Sequence, residues 1–317
     1  MPAGSRLAVV GNLNADLWVQ TVERFPRWDE ELLVESARIE LAGTAGYVLL
    51  ACKGLGMSAF AVSTLGDDAF GQYVHASVEA LGFETEGVEV LSGRQTSLGM
   101  IFIDPAGRRS ILSTLGAHSE MDMEVVARHE AAIAGCTDVL ICGSYLLPGL
   151  SPADVLPLAR ECRQRGQTVA FDPSWDPAGW GERTRRDTYE LLREVDVYLP
   201  NEEELTHLTG QGDWQSALRE VEGLAGEVVL KRGSEGAVFS RDGERVSAPA
   251  LPIAAVNTVG AGDVFDTAYL YARRQDWPPA RRLQFACTLA GMVVSQPGTR
   301  VYPSADAVEA RLTSHYR

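Results

Sequence analysis

Short apolar, β-branched runs alternate with longer helix-period segments along most of this 317-residue chain, and that alternation constrains the fold more than any other feature. The runs fall at 7–10, 58–62, 138–142, 168–171, 197–199 and 228–230, and the spacing predicts helices over 46–56, 69–81, 122–134, 152–165, 184–193 and 213–224. Strands separated by helices of this length pair in parallel. The expected class is therefore α/β, a mostly parallel central sheet with helices on both faces. The stretches 17–19, 31–40, 97–103 and 109–113 break the rhythm by alternating at period two, and the last pair flanks a turn at Asp104-Pro105-Ala106-Gly107. They predict a small antiparallel sheet inserted as a lid, drawn from roughly 15–40 and 96–114. From about 258 onward the pattern is almost all helical, and no repeat, low-complexity tract or linker interrupts the chain. Residues 1–317 are read as one domain.

Lys and Arg number 28 against 43 Asp and Glu, a net charge of −15. That excess argues against nucleic-acid or anionic-membrane partners, yet leaves room for a local pocket that takes one nucleotide. No apolar run approaches the ~18–20 residues that span a bilayer, and the apolar stretch 7–10 is too short for a signal-peptide core. The five cysteines are scattered, with no C-x-x-C pair. They read as small core residues of a protein in a reducing, cytoplasmic compartment.

The strongest local signal is Asn257-Thr258-Val259-Gly260-Ala261-Gly262-Asp263-Val264-Phe265, a glycine-rich turn opening a helix. Such a turn presents unpaired N–H groups at the positive end of the helix dipole, which suits an anion. Asp263 is read either as a carboxylate satisfying those amides or as a general base beside a phosphate cradle. A dinucleotide fingerprint fails because Phe265 stands where its third glycine belongs, and no Gly-Lys-Ser/Thr forms a P-loop. Leu199-Pro200-Asn201-Glu202-Glu203-Glu204 follows a strand and opens a helix. Asn201 as an N-cap explains it by itself; alternatively, Asn201 and Glu204 stand at a strand's carboxyl end, where open α/β sheets bind ligands. Leu230-Lys231-Arg232-Gly233-Ser234-Glu235-Gly236 reads on its own as a hairpin turn with two cations. Asn14 and Asp16 lie two apart after the first strand, so in extended chain they share a face and can bind paired hydroxyls, or form a simple turn.

Each cluster alone is weak, but their order and spacing are specific. The chain resembles the ribokinase-like carbohydrate kinases, the phosphofructokinase-B-type sugar and nucleoside kinases, over essentially its whole length. The resemblance rests on Gly11-Asn12-Leu13-Asn14-Ala15-Asp16, Ala42-Gly43-Thr44-Ala45-Gly46, Gly66-Asp67-Asp68-Ala69-Phe70-Gly71, Asn201-Glu202-Glu203-Glu204 and, most diagnostic, Thr258-Val259-Gly260-Ala261-Gly262-Asp263. It implies a ribokinase-like fold that binds ATP and Mg2+ and phosphorylates a hydroxyl of a small sugar or nucleoside. By the same resemblance Asp263 is the base, and the amides from Gly260 through Ala261 and Gly262 to Asp263 form the anion hole. Asn201 and Glu204 hold magnesium through water, with Glu204 the metal-side carboxylate. Lys231, Gly233 and Gly236 lie along the ATP phosphates, while Asn14, Asp16 and the backbone at Gly43 clamp the sugar. The inserted strands become a lid that excludes water and offers a surface for a homodimer.

Departures from the family pattern sharpen these expectations. Ala42-Gly43 replaces Gly-Gly, and Tyr47 replaces an Asn that bonds sugar hydroxyls, which points to an acceptor other than ribose or fructose. Asn257 replaces the Asp that helps hold a monovalent cation. Backbone carbonyls at Val259, Val294 and Gly298 would have to complete such a site, so weak potassium activation is expected. Asp266-Thr267 replaces a small pair. The leading reading is an ATP- and magnesium-dependent kinase for a sugar or sugar acid. Its alternatives are a nucleoside kinase with Tyr47, Leu98 and Met100 facing the base, and a catalytically silent sugar- or nucleotide-binding regulator.

Overall fold

Alternation within the first strand sets the layers of the molecule. In β1 (Arg6–Val10), Leu7 and Val9 join one apolar core while Ala8 and Val10 join the other. A strand buried on both faces needs cover on both, and helices supply it. The computed structural model describes residues 5–106, 108–296 and 301–315. On the first face lie α1 (Thr44–Leu55), α2 (Ala69–Ala80), α9 (Ala261–Arg274) and α10 (Pro279–Val294). On the second lie α3 (Met123–Arg128), α4 (Glu130–Ala134), α5 (Pro152–Gln164), α6 (Glu182–Leu192), α7 (Glu202–Thr209) and α8 (Trp214–Val221). None of the described helices is long and apolar enough to cross a membrane.

The central sheet has nine strands in the order β13-β12-β11-β10-β9-β8-β1-β4-β5. All the expected strands are present and parallel: β1, β4 (Ser58–Gly66), β8 (Asp138–Cys142), β9 (Thr168–Asp172), β10 (Val197–Tyr198) and β11 (Glu227–Lys231). The pattern did not announce β5 (Val88–Leu91) at one edge, β13 (Glu244–Ala248) at the other, or β12 (Ala237–Arg241) beside it. β13 is mostly exposed and carries no apolar alternation, and it closes the sheet as an antiparallel hairpin with β12. The helix expected over 122–134 is divided at His129, whose backbone leaves the helical region and whose ring bonds Glu89 at 3.0 Å.

The second sheet lies where the period-two stretches fall: β2 (Asn14–Gln20), β3 (Ser36–Ala42), β6 (Leu98–Ile103) and β7 (Arg109–Ser113), in the order β3-β2-β6-β7. β2–β3 and β6–β7 are antiparallel as expected, and the middle pair β2–β6 is parallel. β3 begins at Ser36, several residues later than the alternation from 31 implied. Gly107, in the expected β6–β7 turn, lies outside the described residues.

The topology gathers the chemistry at one edge. Asp172 ends β9, Lys231 ends β11, and Asn201 follows β10 and bridges to Lys231. Parallel strands place these carboxyl ends together, opposite the start of α9, where α/β sheets bind ligands.

Candidate active site

The first turn of α9 is built on a left-handed residue. Gly260 caps the helix at φ 73°, a conformation that disfavours a side chain. Space forbids one as well: a Cβ there would meet the Tyr47 ring carbons at 2.5–2.7 Å. Asp263 is therefore the third residue of the helix and not its cap, and its half-buried side chain lines a cavity of about 830 Å³. Burial first, and the Asp172 charge second, push the Asp263 carboxyl well above the usual range, with Lys231 opposing. Of the amides expected in the anion hole, that of Ala261 is engaged within the loop, donating to the Thr258 carbonyl at 3.2 Å.

Lys231 was expected along a turn open to phosphates. Its Nζ instead sits between two buried carboxylates, 2.9 Å from Asp172 Oδ2 and 3.0 Å from Asp266 Oδ2. Gly233 and Gly236 do line the cavity beside it, and Gly236, at φ 88°, passes so close to β13 that a Cβ would meet the Ala248 carbonyl at 2.0 Å.

Asn201 and Glu204 form a reciprocal capping box on α7, as the plain helix-start reading of the sequence required. Asn201 Oδ1 accepts from the Glu204 amide and Glu204 Oε2 accepts from the Asn201 amide, both at 2.8 Å. Both side chains also line the cavity. Burial, then the Asp172 charge, raise Glu204 from the ordinary 4.5 to about 7. Among the described residues no group of three or more His, Cys, Asp or Glu side chains is arranged to hold a metal. An ion bound here would need oxygens from water and ligand, which is the habit of magnesium.

The acceptor residues come together at the base of the second sheet. Asn14 Nδ2 donates to Asp16 Oδ1 at 2.8 Å, and the Tyr47 hydroxyl donates to Asp16 Oδ2 at 2.9 Å. Asn12 and Thr44 extend the network, with Thr44 Oγ1 donating to Asn12 Oδ1 at 2.6 Å. Gly43 makes the network possible, because at φ 87° a Cβ would meet the Asn12 carbonyl at 2.2 Å. On β6 the residue beside Asp16 is Gly99, where a Cβ would meet Asp16 Oδ1 at 2.3 Å. Leu98 and Met100 point to the opposite face by strand alternation, and Leu98 packs on the core. The expectation that they would face a nucleobase is corrected.

Two groups of cavity residues escaped the sequence reading. Asp172 was hidden as the last residue of an apolar strand, although a polar residue at a parallel strand's carboxyl end is itself a signal. The apolar wall combines Leu251, Ile253 and Ala255 with Cys287, Ala290, Gly291 and Val294. The α10 members recur at helical spacing and so mark one face. All five cysteines are buried and unpaired.

A glycine-capped helix start, Asp263, a buried lysine and an apolar-walled cavity thus meet at the carboxyl edge of a parallel sheet. The chain belongs to the pfkB family carbohydrate kinases, whose pattern matches residues 5–306. It is 28% identical to an ATP-dependent ribose-1-phosphate kinase of Halopiger xanaduensis over 98% of this chain and 99% of the other. It is 26% identical to a ribokinase of Haemophilus influenzae, covering 93% and 94%. Among solved structures, Arabidopsis thaliana ribokinase complexed with ribose and ATP superposes with a TM-score of 0.81 at 25% identity, covering 98% and 99%. The fold is ribokinase-like, with the large mostly parallel sheet and the smaller one described above.

Two predictions follow from the buried polar groups. Because the folded chain holds the Glu204 proton up to about pH 7 while the unfolded chain releases it near 4.5, the folded state binds more protons in that window. Stability from this group therefore falls as pH rises from about 4.5 to 7 and stays low above. Glu204→Gln keeps the acceptor for the Asn201 amide and removes the charge, so its Tm without nucleotide gains on wild type from pH 5 to pH 8, as thermal melts would record; parallel curves would refute this. Tyr47→Phe strips a donor from a buried carboxylate and lowers unfolding stability by about 1–3 kcal/mol in denaturant titrations, whereas an idle phenol would leave the midpoint unchanged.

Proposed function

We propose that this carbohydrate kinase transfers the terminal phosphoryl group of ATP to a hydroxyl of a small pentose-type sugar, with Asp263 as the base. The observation that carries the reading is the placement of Asp263 on the first turn of α9, in one cavity with Lys231, Glu204 and an apolar wall. Relatives named ribose-1-phosphate kinase and ribokinase, and a ribokinase structure holding ribose and ATP, support a pentose-type acceptor, while others are named 5-dehydro-2-deoxygluconokinase.

In this reading the apolar wall of Leu251, Ile253 and the α10 face takes the base of the nucleotide, and the strand-end turn with Gly233 and Gly236 takes the phosphates. A cavity of about 830 Å³ is the size that takes a ligand of this kind. Glu204 and Asn201 face the magnesium that accompanies the phosphates, whose chemistry is to neutralise charge on the phosphate oxygens. Asn14 and Asp16 hold a vicinal diol, with Gly43 giving backbone access. Asp263 accepts the hydroxyl proton, from its place on the first turn of α9 inside the cavity. The amides at the start of α9 and the Lys231 ammonium meet the charge that develops on the transferred group.

Retention of base, lysine and glycine cap supports an enzyme over a silent regulator. The nucleoside reading loses its support because Leu98 and Met100 point away from Asp16. We read the second sheet as a lid, within a single-domain cytoplasmic enzyme. The β2–β3 connection exposes Trp28 and Leu33 and β7 exposes Leu112, apolar side chains through which two copies would pair.

Weak potassium dependence belongs to this reading, and the hydrogen bonds around the expected cation site support it. The Val294 carbonyl, expected in a cation site, already accepts from the amides of Val256 and Asn257 at 2.8 and 3.0 Å. The Asn257 side chain accepts from the Val259 amide at 3.0 Å, and Gly298 lies outside the described residues. Turnover should change less than about twofold between potassium-free buffer and millimolar potassium; strong saturable activation would overturn this part of the reading.

The base is tested directly. In a coupled assay over pentoses, pentose phosphates, hexoses, sugar acids and nucleosides, a pentose or its phosphate should give the highest turnover. With that acceptor, Asp263→Asn should lower kcat by roughly 10²- to 10⁴-fold while ATP affinity by calorimetry stays close to wild type. Near-full turnover by the variant would remove Asp263 from the mechanism.

A further inference from the structure

The buried lysine between two aspartates carries more than the assignment of a phosphate-binding turn. Lys231 leaves the end of β11, Asp172 ends β9 and Asp266 lies one turn into α9, so the cluster ties the sheet edge to the helix that opens with the glycine cap. Both carboxylates contact the same ammonium through their Oδ2 atoms, and the side chains of Lys231, Asp172 and Asp266 are only 11%, 5% and 1% exposed. An ammonium has three N–H donors. Two are taken by these aspartates.

The third has a defined surrounding. A Cβ placed on Gly262 would lie 3.4 Å from Lys231 Nζ, so the ammonium sits directly against the first turn of α9. Lys231, Gly262 and Asp263 line the same cavity. The remaining donor is thus beside the amides and the base, where the transferred group passes.

Asp266 spends its polar contacts on this cluster: its Oδ2 meets Lys231, and its carboxyl shares a side-chain hydrogen bond with Asp172. Asp266 also sits three residues after Asp263 on the same helix, so the base and the lysine anchor are fixed by one rigid element.

We propose that Asp266 is a positioning residue for phosphoryl transfer. Together with Asp172 it holds the Lys231 ammonium under the start of α9, so that its third N–H donates to the phosphoryl group in flight. Lys231 becomes a side-chain member of the anion hole, and Asp266 acts through it. The inference rests on the kinase reading above and deepens it.

The test separates the two. Wild type, Asp266→Ala, Asp266→Asn, Lys231→Ala and the double variant Asp266→Ala/Lys231→Ala are compared by calorimetry with ADP and magnesium, with and without aluminium fluoride, which mimics the transferring phosphoryl group. Thermal melts accompany each. Wild type should bind the ADP–fluoride mixture more tightly than ADP. Asp266→Ala should lose roughly 10- to 100-fold in the fluoride-dependent part while ADP affinity changes less than about threefold. Asp266→Asn keeps an acceptor for the ammonium and should retain most of the fluoride effect. The double variant should fall within about twofold of Lys231→Ala, because two residues acting as one unit do not add. Additive losses in the double variant, or a folded Asp266→Ala with the full fluoride effect, would overturn the role of Asp266 and leave the kinase reading standing. A wild type that binds neither mixture would remove the reading and the inference with it.

Discussion

The Lys231 ammonium is the charge on which the active edge depends. Asp172, Asp263, Asp266 and Glu204 crowd into one enclosed region, and buried carboxylates repel one another strongly where water is scarce. Burial raises the proton affinity of three of them, while Asp172, despite its burial, is held below its ordinary value chiefly by Lys231. A single buried cation thus lowers the proton affinity of the carboxyls around it, against the burial that raises it. The chain has only two lysines among its 28 cations, so the use of one here is not a matter of abundance. Lysine offers a compact charge with three donors, where arginine would spread its charge across a planar fork.

The glycines follow from the same crowding. Gly260 must be left-handed to start α9 and must lack a side chain to admit the Tyr47 ring. Gly43 leaves space for the Asn12 carbonyl and Gly99 for the Asp16 carboxylate. Gly260, Gly43 and Gly99 are each required where backbone and side chain approach too closely for a Cβ, and they mark out the edges of the site.

Much of this was legible in the sequence. The apolar runs located each central parallel strand because strands buried on both faces are apolar throughout, and the period-two stretches located the smaller sheet. Gly260, Gly262 and Asp263 announced themselves because a glycine-rich turn before a helix has few other uses. Other features were hidden for physical reasons. β12 and β13 pair through backbone atoms that side-chain pattern does not encode. Lys231 looked like an open turn cation, since its two partners come from strand and helix positions far away in sequence. Leu98 and Met100 were placed toward the site as apolar residues of the lid, but the register pairs Asp16 with Gly99 and sends its neighbours to the other face.

Tyr47 joins the two halves of the site. Its hydroxyl completes the hydrogen bonds of Asp16, and its ring packs on the glycine that starts α9. An asparagine here could reach a sugar but could not span that distance, so the substitution exchanges a direct polar contact for a rigid link between the acceptor clamp and the anion hole. A rigid aromatic loses little conformational freedom when it makes such a link, and it excludes water from the space it fills. In the proposed reading, selectivity for the acceptor depends less on how many hydroxyls the pocket counts than on how the Tyr47 ring limits their approach to Asp16. The same ring would tie any shift of Asp16 on binding a diol to the backbone at Gly260, so that acceptor recognition and the geometry of transfer meet at one side chain.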